Sequence, residues 1–79
     1  MKSFEPSLKD KIAITEENIR GLCKTIFSVE LAGRCAEKIG NKEKSAKSVA
    51  TLTELEKMRM AYEEELALFV AEVEKQKQG

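Results

Sequence analysis

In residues 52–76, LTELEKMRMAYEEELALFVAEVEKQ, the positions Leu52, Leu55, Arg59, Tyr62, Leu66, Phe69, Val73 and Gln76 lie alternately three and four residues apart, and six of the eight are apolar. That 3.5-residue repeat belongs to a helix lying along a partner helix. A candidate partner stands upstream in the same chain. Leu8, Ile12, Thr15, Ile19, Leu22, Ile26, Val29, Gly33 and Ala36 alternate four and three apart without a slip. The spacing predicts two helices, over about 7–39 and 49–75, with a connection at 40–48. A flexible arm at 1–6 and a polar tail at 76–79 complete a single hairpin domain.

The local signals agree with these bounds. Ser7 follows Pro6 and can cap the first turn, where Asp10 favours the positive end of the helix dipole. Gly40 is placed to take the left-handed conformation that closes a helix, with Lys38 in the last turn. Thr51-Leu52-Thr53-Glu54 has the capping-box pattern, and Ser48 offers a start one turn earlier. Asn41–Lys47 has no large apolar residue and reads as an exposed connection. Gly21 lies opposite the stripe, where it is either a tolerated surface glycine or a point of close approach by a partner backbone.

Two helices joined by a short connection fold back antiparallel. Folding about the middle of the connection pairs positions whose numbers add to about 88, so Gly33 meets Leu55 and Ile26 meets Tyr62. Arg59, the one charge on the second stripe, then falls beside Val29 and Glu30. A Glu30–Arg59 ion pair that fixes the register is the expectation; the competing arrangement pairs Glu30 with Arg34 one turn on. The fold class is therefore all-α, an antiparallel two-helix hairpin resembling a coiled coil.

A lone hairpin buries one side of each helix, yet apolar residues remain beside the stripes. Cys23, Phe27, Leu31, Cys35 and Ile39 form an i, i+4 row on the first helix, and Met58 and Val70 flank the second stripe. Phe27, Leu31, Cys35, Ile39 and Val70 are the candidate partner-binding residues. Their cover is the N-terminal arm through Phe4, a second copy completing a four-helix bundle, or another protein. Self-association or a stable hetero-complex is favoured over a monomer.

Composition removes most chemistry. The 79 residues include no His and only two Cys, twelve apart, so the common zinc and nucleophilic constellations have no residues to use. The four Gly are scattered rather than gathered into a phosphate loop. Glu63, Glu64 and Glu65 fan around a helix rather than converge. No catalytic, cofactor-binding or metal-ligating residue is assigned, no cofactor or small-molecule substrate is implied, and the chain is read as not an enzyme. Fourteen basic residues balance fourteen acidic ones, which argues against a nucleic-acid partner, and the mixed-sign polar faces argue against a membrane. The start of the chain has no apolar run of the signal-peptide kind, and two thiols in so helical a chain suit a reducing compartment. A soluble, cytoplasmic protein is expected.

The function that follows is a non-enzymatic interaction module, a small adaptor, inhibitor or chaperone, binding another protein or itself through apolar helix faces. An alternative is a dimeric nucleic-acid-associated regulator presenting the lysines of the connection, Lys42, Lys44 and Lys47. A remoter one is a small dimeric helical enzyme, for which Arg59 is the only charge facing the seam.

Overall fold

The computed structural model describes residues 5–78. Two long helices, α1 (Leu8–Lys38) and α2 (Lys42–Gln78), pack against each other as an antiparallel hairpin. Phe4, with its expected covering role, and the last residue of the expected tail, Gly79, lie outside the described residues.

Helix α1 begins as its sequence dictates. Ser7 is extended, and its Oγ accepts from the Asp10 N–H at 3.1 Å. The helix passes Thr15 without a break, and Thr15 turns its hydroxyl back to donate to the Lys11 carbonyl at 2.6 Å. Thr15 is thereby buried on the seam with its polar atom satisfied. At the other end Gly40 adopts φ +79°, and two hydrogen bonds close the helix. The Gly40 N–H donates to the Glu37 carbonyl at 3.0 Å and the Asn41 N–H to the Ala36 carbonyl at 2.8 Å, the pattern of a Schellman motif.

Helix α2 starts at Lys42, well before the expected position. Asn41 is the reason. Its Oδ1 accepts from the Lys44 N–H at 3.1 Å, and its carbonyl accepts from the Ser45 N–H at 3.1 Å. Asn41 is therefore both the last residue of the α1 closure and the N-cap of α2. The connection shrinks from 40–48 to Ile39, Gly40 and Asn41. Neither expected cap acts as one: Thr51 is an exposed residue of the helix interior, Ser48 is buried with its hydroxyl donating to the Lys44 carbonyl at 3.1 Å, and α2 continues through the expected polar tail to Gln78.

The early start moves the register by one heptad. A Cβ built on Gly33 would stand 2.9 Å from Ser48 Cβ and 3.3 Å from Ser48 Oγ. Positions adding to 81, as 33 and 48 do, therefore face each other, in place of the expected sum of about 88. The same sum matches Ala36 to Ser45, Val29 to Leu52, Ile26 to Leu55, Leu22 to Arg59 and so on to Leu8 and Val73. All of these residues are buried or half-buried, whereas Gln76, left without an α1 partner, is exposed. The neck is built of small residues on both helices, so the backbones approach closely beside the tight turn.

The molecule measures 59 × 30 × 14 Å. The smallest dimension is little more than one helix diameter, so no further layer of described residues covers the seam. Among the described residues only Thr15, Ala36 and Ser48 are buried, and no side chain is fully so. Within the hairpin Gly21 faces open space, with nothing within 4 Å of an added Cβ, so α2 is not the backbone that approaches it. On the monomeric hairpin Gly21→Ala should therefore be stabilising by about 1 kcal/mol, measured at concentrations where the chain is monomeric as a higher urea midpoint at unchanged slope. An unchanged or lower midpoint in the monomer would mean that the position is not open surface of the hairpin itself.

Candidate functional site

Each side of the hairpin carries a shallow groove between the helices. On one side Cys23, Ile26, Phe27 and Glu30 of α1 meet Glu56 and Arg59 of α2. On the other, Ala32, Cys35, Ala36 and Ile39 meet Asn41 and Lys44 near the turn. Further along α2, Met58, Ala61, Tyr62 and Glu65 continue this second side. The two sides differ because the positions flanking the seam differ.

The first side is organised by Arg59. Its seam position faces Leu22, which offers a guanidinium nothing, so the side chain turns along its own helix. Nε and Nη2 donate to one Glu56 oxygen at 2.9 and 2.6 Å, and Nη1 donates to Glu63 at 2.9 Å. The hydrogen bond and charge of Glu56, followed by the charge of Glu63, hold the guanidinium above the usual arginine pKa. The expected Glu30–Arg59 pair is replaced by these contacts, and Glu30 instead approaches Arg34, at 4.0 Å. The register explains the change. Residue 30 lies eight positions from Leu22, which places it about 12 Å along the axis from the level of Arg59.

The candidate row Phe27, Leu31, Cys35, Ile39 is exposed throughout, as is Val70 on α2. These residues do not make one face. Each i, i+4 step turns by about 40°, so a row from Cys23 to Ile39 sweeps roughly 160° around α1. Phe27 lies on the Arg59 side, and Val70, a heptad beyond Glu63, falls on that side too. Leu31 looks outward from the back of α1, and Cys35 and Ile39 belong to the second side. Cys23 and Cys35 are free, exposed thiols on opposite sides.

Several exposed apolar residues are absent from that row. Ile14, Val49, Met60 and Leu68 are 52%, 62%, 56% and 63% exposed. Their signal in the sequence is the offset from the seam. Val49 and Met60 each follow a seam position, Ser48 and Arg59, while Ile14 and Leu68 each precede one, Thr15 and Phe69. On the second side, the α1 surface between Ile14 and Ile39 has a regularity of its own. Asn18, Gly21, Thr25, Ser28, Ala32 and Cys35 continue the alternation of three and four, and no member of this row is charged.

The lysines of the expected connection lie on the first turns of α2. Lys42 and Lys44 project about 160° apart, and Lys47 stands 4.0 Å from Glu43, so they do not gather into one basic patch. Among the described residues no group of three or more His, Cys, Asp or Glu side chains is placed to hold a metal ion. No helix among them is long and apolar enough to cross a membrane.

No protein-family model, curated protein or solved structure matches the chain.

Proposed function

We propose that the chain is a non-enzymatic protein–protein interaction module, a small adaptor, inhibitor or chaperone that works by presenting apolar helix surface. One observation carries this reading. Among the described residues, large apolar side chains from Ile14 to Val70 stand 44–80% exposed on a hairpin whose own seam is already occupied. Single exposed apolar residues are ordinary. Here they recur along both sides of a body one helix thick, where no third described element shields them. Hydrophobic association is the driving force such a surface offers.

Phe27 and Leu31 give the reading a direct test. They are 57% and 47% exposed and occupy no seam position, so glutamate at either should leave the helix content intact. If the module reading is right, Phe27→Glu and Leu31→Glu lower binding of a hydrophobic dye and abolish capture of the protein that the wild-type chain retains from its source. A wild-type chain that is monomeric, binds no dye and retains no protein would overturn the reading.

A further inference from the structure

The second side of the hairpin exposes Ile14, Ile39, Met58 and Leu68, and it is complementary to itself. Its uncharged α1 row begins and ends in isoleucine, Ile14 at 52% and Ile39 at 80% exposure. The members pair end for end about a point midway between Thr25 and Ser28. Numbers adding to 53 match Ile14 to Ile39, Asn18 to Cys35, Gly21 to Ala32 and Thr25 to Ser28. Large residues meet at the ends and small ones in the middle, as a twofold contact between antiparallel copies requires.

The charges on α2 supply an independent check. Suppose that positions adding to 53 face each other on α1, while positions adding to 81 face each other within the hairpin. The same twofold axis then sets α2 positions adding to 109 against each other, since twice 81 less 53 is 109. Lys44 and Glu65 meet that sum. Both line the second side, and they carry opposite charges. Leu68, 63% exposed, comes opposite Asn41 by the same sum, so Ile39 of one copy enters between Ile14 and Leu68 of the other. Glu54 and Leu55 lie nearest the axis on α2, so the Glu54 carboxylates of the two copies approach each other there, each with its charge offset by Lys57 at 3.5 Å.

We propose that two copies of the chain stack antiparallel through this side, α1 on α1 and α2 on α2, to form a four-helix bundle. The arrangement rests on the interaction-module reading and names one partner, a second copy. It covers Ile14, Ile39, Met58 and Leu68 and leaves Phe27, Val49, Met60 and Val70 on the outside. The bundle therefore keeps a separate apolar side for another protein.

Light scattering of the full chain should give twice the 8.9 kDa of the monomer. Ala32→Glu, which sets a charge against Gly21 of the other copy, should raise the dimer dissociation constant at least about a hundredfold. Phe27→Glu should leave it unchanged. Lys44→Glu and Glu65→Lys should each weaken the dimer by about tenfold, and the double reversal should restore it. In a Cys23→Ser background, Asn18→Cys should form an interchain disulfide with Cys35 on oxidation. Circular dichroism confirms that each variant remains helical. A monomer at every concentration tested, or a dimer broken by Phe27→Glu and not by Ala32→Glu, overturns the arrangement. A monomer that still captures its partner through Phe27 and Leu31 removes the dimer and leaves the module reading standing; one that binds neither dye nor partner removes both.

Discussion

Gly33→Leu should lower the stability of the hairpin by about 2–3 kcal/mol, even though leucine is the better helix former by about 1 kcal/mol. The first added carbon already stands 2.9 Å from Ser48 Cβ, a contact that no rotamer can relieve because neither atom lies at the end of a flexible chain. The remaining three carbons must push the helices apart at the neck. The tight turn holds the neck closed, so the strain has nowhere to go but into the seam. Urea denaturation measures the loss, and a double-mutant cycle with Ser48→Gly locates it. The two substitutions should couple by at least about 1 kcal/mol; additive effects would show that the neck does not pack as described.

Arg59→Leu should act in the opposite direction and raise the midpoint of urea unfolding by roughly 0.5–1 M. The arginine occupies a seam position opposite Leu22, with its side chain 31% exposed, and its ionic partners belong to its own helix. Leucine would fill the position with hydrocarbon. Glu56 and Glu63, with side chains 46% and 48% exposed, would return to water at little cost. A polar residue at such a position favours one alignment over others at the expense of stability. The variant should therefore unfold at higher urea and also show extra species by light scattering. A fall in the urea midpoint would mean that the Glu56–Arg59–Glu63 cluster stabilises more than the seam contact it displaces.

Both stripes are legible in the sequence, and so is their role. Every predicted seam residue from Leu8 to Val73 is buried or half-buried, and Ser7 and Gly40 act at the helix ends as their chemistry suggests. The register is not legible from the stripes, because a heptad pattern looks the same after a shift of one repeat. Either alignment sets apolar positions against apolar positions. Only the length of the connection separates them, and two small residues conceal it. Ser45 and Ser48 continue the alternating spacing of Leu52 backward, but without apolar bulk they read as loop.

The Glu30–Arg59 pairing depends on the longer connection and falls with it, since Arg59 faces Leu22 rather than Val29. The signal that distinguishes the two alignments is an Asx cap at Asn41, directly after a closing glycine. The partner row divides for a different reason. An i, i+4 sequence drifts around a helix, so Phe27 and Ile39 sit on different sides despite their regular spacing.

Because Asn41 closes one helix and opens the next, no residue of the joint is free to slide, and the turn sets the phase of everything after it. One inserted residue would rotate α2 by about 100° relative to its present setting. Leu52, Leu55 and the rest of their line would leave α1 and turn to solvent together. Lengthening the chain without scrambling it is possible at the far end of the hairpin, beyond Leu8 and Val73, where extra turns add to the zipper rather than mesh it wrongly.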